Sequence, residues 1–200
     1  MSLPVEKPRY HTIDEYLRID RDSTERLDYI DGEIVAMAGG TYNHSLIIAN
    51  VVRELGNGLK GKPCRVLESN LRVGIPRDTR FMYPDIPVIC GKPEFDPRDD
   101  RNETVTNPRL VIEVLSPSTE LHDRGEKFRR YRELSSLQEY VLVSQERPSI
   151  ETFFRQADGA WLMTPYFGIE STIRLRSVEI DLPMTEIYAG VEFPPPSPDE

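Results

Sequence analysis

Two carboxylates set the chemical question. Asp85 follows Pro84 at the head of one apolar stretch, and Glu113 interrupts another, Leu110-Val111-Ile112-Glu113-Val114-Leu115, 28 residues further on. An ionised Glu inside an apolar strand carries a large desolvation cost unless a cation or hydrogen-bond donors compensate it. A divalent metal is the natural compensator. Mg²⁺ binds through one or two carboxylates plus waters and phosphate oxygens, and a metal of this kind activates water and stabilises charge building on phosphorus. Phosphodiester hydrolysis also gains from a cation beside the attacking water, and Lys127 is the candidate. Asp123, Lys127 and Tyr131 recur every four residues and so share one helix face. Arg124, Arg129, Arg130 and Arg132 make the same segment the densest basic stretch of the chain, a place for a phosphate backbone to dock.

The elements that must position these groups can be read from pattern. Thr12-Ile13-Asp14-Glu15 is a capping box opening a short helix through about Ile19. A second short helical stretch is expected at Thr24–Asp28, then a turn at Asp31-Gly32 and a strand at Glu33–Ala38. Leu46, Ile47, Val51, Leu55 and Leu59 predict an amphipathic helix over Asn43–Leu59, packed on a sheet. Cys64–Leu67, Leu71–Ile75 and Asp85–Cys90 read as strands. Leu110–Leu115 has the pattern of a central strand buried on both faces, which makes Glu113 the anomaly. A helix is expected from Asp123 to about Leu134, then a buried strand at Glu139–Ser144. A hairpin follows, Ser149–Arg155 with Trp161–Tyr166 across Asp158-Gly159, then a further strand pair and a short helix near Thr185–Tyr188. The whole predicts a mixed α/β sheet. The polar stretch Gly91–Asn107 is long for a connection, as a lid or a disordered loop would be.

Composition narrows the class. The chain has 200 residues and a mass of 23.0 kDa, which fits one domain over 1–193 with a disordered Pro-rich tail over 194–200. With 38% hydrophobic and 30% charged residues it is too apolar for a disordered chain and too charged for an integral membrane protein. No run approaches a membrane span and the N-terminus lacks signal-peptide character, so a cytoplasmic location is expected. Cys64 and Cys90 are too few for a disulfide framework and read as buried thiols. A net charge of −9 repels polyanions on average, so any nucleic-acid contact must be local.

Pro84-Asp85 followed by Glu113-Val114-Leu115 resembles the PD-(D/E)XK superfamily of metal-dependent nucleases. More closely, the chain resembles the Uma family of bacterial proteins described as restriction endonucleases. The phrases that carry this are Leu27-Asp28-Tyr29-Ile30-Asp31-Gly32-Glu33, His44 opening a helix, Pro84-Asp85-Ile86, Glu113 through Thr119, then Asp123, Lys127, Tyr131 and Glu139-Tyr140. The resemblance implies a restriction-endonuclease-like α/β fold, a mixed central sheet flanked by helices, here with an added C-terminal antiparallel hairpin region. It implies that Asp85 and Glu113 hold Mg²⁺ or Mn²⁺, with the Val114 carbonyl as a third ligand. Asp28, His44, Asp123 and Tyr131 become supporting candidates, and Arg124, Arg129 and Arg130 DNA contacts. The superfamily's lysine normally stands two residues after the Glu, where this chain has Leu115, so catalysis needs a relocated cation and Lys127 fits. Members often pair to reach both strands, so the expected partners are DNA and a second copy of the chain, with no membrane and no organic cofactor. The alternative is a catalytically inactive binding or accessory module of the same fold. A glycoside hydrolase using Asp85 and Glu113 as acid and base is the weaker rival, since the basic helix favours phosphate over sugar.

Overall fold

The computed structural model describes residues 10–36, 40–75 and 80–194. Helix α1 (Ile13–Asp22) starts at the expected capping box: the Glu15 amide donates to Thr12 Oγ1 (3.2 Å) and the Thr12 amide to Glu15 Oε2 (2.8 Å). The stretch Thr24–Asp28 is not helical. It bends into β1 (Leu27–Ile30), which pairs antiparallel with β2 (Glu33–Ala36). Asp31 (φ 51°) and Gly32 (φ 96°) supply the two positive-φ positions of a tight hairpin. Closing that hairpin and burying Leu27 and Tyr29 outweigh a weak local helical preference. The expected end of the second strand, and the tail from 195 on, lie outside the described residues.

Helix α2 (Tyr42–Gly58) follows the three- and four-residue spacing and buries Ile47, Val51 and Leu55. The other strands are β3 (Cys64–Val66), β4 (Arg72–Ile75), β5 (Arg80–Met82), β6 (Ile86–Cys90), β7 (Thr104–Val105), β8 (Pro108–Leu115), β9 (Glu139–Ser144), β10 (Ser149–Arg155), β11 (Trp161–Phe167), β12 (Thr172–Leu175) and β13 (Ile180–Pro183). Among the described residues they form a main sheet ordered β11-β10-β9-β8-β6-β3, a second sheet ordered β2-β1-β5-β4-β7, and the C-terminal antiparallel pair β12-β13. In the main sheet β8 and β9 are parallel and their neighbours antiparallel. The mixed α/β architecture expected from the sequence is therefore present.

Strand alternation places the site. Leu110, Ile112 and Val114 of β8 pack with Ile47, Val51 and Leu55 of α2. Val111 and Leu115 face the other way, onto Val73, Ile75 and Met82 of the second sheet. Glu113 shares their parity and so lies between the two sheets. The outer face of the second sheet packs on α1 through Leu27, Tyr29 and Phe81 against Tyr16 and Leu17. Asp28, between Leu27 and Tyr29, therefore points inward, toward Glu113.

Three further expectations are corrected. The single helix expected from Asp123 to Leu134 is a compound segment: α3 (Glu120–His122), a π-helical turn (Asp123–Lys127) and α4 (Phe128–Tyr131). Such turns carry an extra residue and recur at functional sites. The connection 91–107 is ordered: Phe95 bridges Val105, β7 pairs with β4, and buried Asp96 and Asp99 turn inward onto Arg98 and Arg72. Cys64 and Cys90 are joined as a disulfide; they face each other directly across β3 and β6, with Cα atoms 3.9 Å apart. Among the described residues, no helix is long and apolar enough to cross a membrane. A short α5 (Met184–Ile187) closes over α2.

Candidate active site

The pairing of β6 with β8 ends at Ile86 opposite Ile112, and one step beyond it stand Asp85 and Glu113. They clasp each other through backbone amides. The Asp85 amide donates to Glu113 Oε2 (3.1 Å), and the Val114 amide donates to Asp85 Oδ2 (2.7 Å). Each carboxylate is thus oriented by the strand that carries the other. The remaining Glu113 oxygen, Oε1, is buried without a hydrogen bond and lies 3.1 Å from Lys127 Nζ.

Lys127 reaches this point from the π-helical turn. Its ammonium also lies 3.4 Å from Asp123 Oδ1 and donates to the Tyr83 carbonyl (3.3 Å). The Tyr83 amide in turn donates to Asp28 Oδ1 (2.9 Å). Four buried carboxylates, Asp28, Asp85, Glu113 and Asp123, therefore surround one lysine. Burial alone would push the Lys127 ammonium down; Glu113, Asp123, Asp28 and Asp85 together hold it well above the ordinary lysine value, and it stays charged. Burial pushes Glu113 well up, Lys127 opposes this, and Asp85 and Asp123 add to the rise. Asp28 is raised for the same reason, burial in a site already rich in negative charge.

His44 enters from the first turn of α2. Thr41 caps that helix by accepting from the His44 amide (3.1 Å), and the imidazole Nε2 lies 3.4 Å from Asp85 Oδ2. Burial would lower the imidazole's pKa, but Asp85 and a hydrogen bond to the Val114 backbone raise it overall. The ring sits so close to Gly40 that a Cβ there would meet Nδ1 at 2.6 Å, which explains a glycine at that position. Tyr131 lies fully buried beneath the cluster, its hydroxyl without a hydrogen-bond partner.

The donor set suits a hard divalent cation. Carboxylate oxygens dominate, and both Glu113 Oε1 and Asp123 Oδ1 are buried acceptors without a hydrogen bond. Among the described residues no three His, Cys, Asp or Glu side chains form a ready cage. Mg²⁺ does not require one, because it keeps several waters and takes substrate oxygens beside one or two carboxylates.

A cleft of about 700 Å³ opens onto this cluster at Asp85. Its inner wall is buried Asp85 and Tyr83 with Asp20 and His44, and its rim is Ser23–Arg26, Ser69, Asn70, Gly40 and Ser45. The structure thus brings together Asp28, His44, Asp85, Glu113, Asp123, Lys127 and Tyr131. It does not bring the arginines to this cleft. Arg124 pairs with Glu120 (2.7 Å) and Glu151 (2.6 Å), Arg129 with Glu126 (2.8 Å), and Arg130 with Glu126 (2.8 Å) and Glu133 (3.4 Å). Sequence reasoning missed Tyr83, whose backbone links Asp28 to Lys127, and the rim residues. Tyr83 immediately precedes Pro84-Asp85, a signal available in hindsight; the rim comes from the loop after α1, the loop between β3 and β4, and the start of α2, and has none.

Comparison with known proteins gives the family and the fold. Residues 13–185 match the Uma2 family model, described as "Putative restriction endonuclease". Two uncharacterized proteins of Synechocystis sp. are similar over most of their length. Protein slr1290 is 38% identical over 181 residues, covering 90% of this chain and 92% of its own. Protein sll1609 is 34% identical over 169 residues, covering 84% and 94%. A crystal structure of a protein from Anabaena variabilis, described as a putative nuclease belonging to DUF820, superposes with a TM-score of 0.73 at 17% identity, covering 91% of this chain and 99% of that one. At that identity it shows the shared fold.

Proposed function

The chain belongs to the Uma2 family, whose description is "Putative restriction endonuclease", and from that premise we propose that it is an endonuclease hydrolysing DNA phosphodiester bonds with Mg²⁺ or Mn²⁺. One observation carries the reading: four buried carboxylates face a single lysine, a charge imbalance that a divalent cation offsets. In this reading Asp85 and Glu113 hold the cation, with the Val114 carbonyl as a further ligand. Bound there, it would supply Lewis acidity at the phosphoryl group.

The chain's own residues do the rest. The reciprocal amide bonds fix the Asp85 and Glu113 carboxylates before substrate arrives, so little reorganisation is left for the reaction. Lys127, kept charged by its neighbours, orients the attacking water and offsets negative charge building on the phosphoryl oxygens. It replaces the cation that Leu115 cannot provide: Leu115 lies in the apolar cluster between the sheets, whereas Lys127 Nζ stands against Glu113. Asp123 and the Tyr83 carbonyl hold the ammonium in place. His44 holds Asp85 from the cleft side.

The test is cleavage of two circular substrates, a supercoiled plasmid and a single-stranded circle, with Mg²⁺ or Mn²⁺. Cleavage of either, removed by EDTA and by Glu113→Gln, is the expected result. Intact circles of both kinds with both metals would overturn the reading.

A further inference from the structure

The shape and charge of the cleft bear on which form of DNA reaches the site. The carboxylate cluster is recessed. Glu113, Asp123 and Lys127 are each less than 5% exposed, and Asp85, the member that lines the cleft, is 8% exposed. The rim residues Thr24, Glu25, Arg26, Ser45 and Asn70 are exposed. A cleft of about 700 Å³ is of a size that encloses a small ligand, roughly 300–1,000 Å³. Such a space is large enough for a base with its flanking phosphates, and the recessed position of Asp85 disfavours a duplex, whose two backbones are held apart.

Charge points the same way. Duplex binding rests largely on cations that neutralise phosphates along both backbones. This chain carries a net charge of −9, and the arginines of the helical segment are matched by Glu120, Glu126, Glu133 and Glu151. Among the described residues lining the cleft there is one arginine, Arg26, beside the carboxylates of Asp20, Glu25 and Asp85. Its Nε donates to Asn70 Oδ1 (2.8 Å), and Asn70 Nδ2 donates to Glu68 Oε2 (2.8 Å), a relay that fixes the guanidinium through two side chains. No carboxylate pairs with it among the described residues, so its terminal nitrogens remain available for a phosphate. The hydroxyls of Ser23, Thr24, Ser45 and Ser69 add the uncharged donors that sugar-phosphate backbones use.

We propose that the cleft admits a single strand of DNA, with Arg26, braced by Asn70, positioning a phosphate at the rim while the scissile phosphate reaches Asp85 and Glu113. This rests on the endonuclease reading of those two residues, and its test separates the two. A labelled 20-nucleotide strand and its duplex are compared as substrates of the whole protein with Mn²⁺, and their binding to the Glu113→Gln variant is followed by fluorescence anisotropy across a salt series. The strand is expected to be cleaved and bound at least tenfold better than the duplex. Its log K against log salt should have a shallow slope, near −0.7 per phosphate engaged. Arg26→Gln should raise KM for the strand about tenfold with kcat retained and flatten the salt slope by about 0.7, and Arg26→Lys should recover part of the loss. Equal or faster cleavage of the duplex, or an unchanged KM in Arg26→Gln, overturns the proposal and leaves the endonuclease standing. Selective binding of the strand without cleavage of either form overturns the endonuclease and leaves the cleft's preference standing. Absence of both binding and cleavage overturns both.

Discussion

Two buried clusters of charge lie on opposite flanks of the second sheet, and they are built by opposite rules. In the first, on the α1 side, Arg72 is 1% exposed and bonds Asp20 (2.6 Å), Asp99 (2.9 Å), Glu103 (3.1 Å) and the Thr104 hydroxyl (3.1 Å). Asp99 also accepts from the Arg101 and Glu103 amides, and neither it nor Arg72 has a buried polar atom without a partner. Burial pushes Asp99 up, but Thr104, Arg101, Arg72 and Arg21 overcome it and hold the carboxyl below its ordinary range. In the second cluster burial wins. Asp28 and Glu113 are raised, and Glu113 Oε1, Asp123 Oδ1 and Tyr131 Oη have no hydrogen bond. A cluster that bonds its central arginine and aspartate on every side holds loops together; one that leaves a negative surplus around one lysine suits the cation proposed for it.

The largest effect expected from this contrast is on activity. Glu113→Gln keeps an acceptor for the Asp85 amide but removes a negative charge, so cleavage should fall on the order of 10³-fold or more, about 4 kcal/mol of transition-state stabilisation. Its melting temperature without metal should change little, because the charge removed was poorly compensated. Arg72→Met makes the complementary break. It strands Asp20 and Asp99 without their cation and should cost about 3–5 kcal/mol in urea unfolding. If Glu113→Gln destabilised as much as Arg72→Met, the two clusters would be alike and the contrast would fail.

Metal addition sharpens the same comparison at smaller size. A ligand bound to the folded state at about 100 times its Kd stabilises by about 2.7 kcal/mol, which for a chain of this length raises Tm by roughly 5–10 °C. Mg²⁺ or Mn²⁺ should produce that rise in the wild type and in Asp96→Asn, and none in Glu113→Gln. A rise of equal size in Glu113→Gln would place the cation elsewhere.

Much of the second cluster was legible before the fold was known, and almost none of the first. Glu113 stands out because it breaks an apolar run, and Asp85 follows a proline at a strand start; both are anomalies visible within a few residues. The capping box of α1 and the periodicity of α2 are local in the same sense. Arg72 raises no such flag, since its partners lie on α1 and in the 91–107 segment and meet it through tertiary packing alone. The same physics hid β1, which forms by pairing with β2 and β5 against a weak helical preference, and the Cys64–Cys90 bond, made by register across 26 residues. It also hid the neutralisation of the basic segment. Arg124 meets Glu151 from β10, which no reading of the segment alone can show.

The smallest effect tests whether the 91–107 segment is electrostatically complete. Asp96 accepts from the Arg98 amide (2.9 Å) and from the guanidinium through Nε (2.8 Å) and Nη2 (2.5 Å). Burial would raise its pKa, yet the Arg98 bonds lower it overall. A carboxyl depressed by folding contributes stability that is fully present above its unfolded-state pKa, about 3.9, and is lost as pH falls through the folded value. Asp96→Asn should therefore lower Tm modestly at pH 7, a difference of about 1 kcal/mol, and the gap from the wild type should close as pH is taken from 5 toward 3. A gap that stays constant over that range would mean the Arg98 bonds contribute through shape rather than charge. The carboxylates around Lys127 bear the opposite sign: Asp28 and Glu113 are raised by folding, so their ionisation opposes the folded state as pH rises, until a cation binds. Melting curves with and without Mn²⁺ across the same range should then diverge toward neutral pH for the cleft, while the Asp96 contribution stays indifferent to the metal.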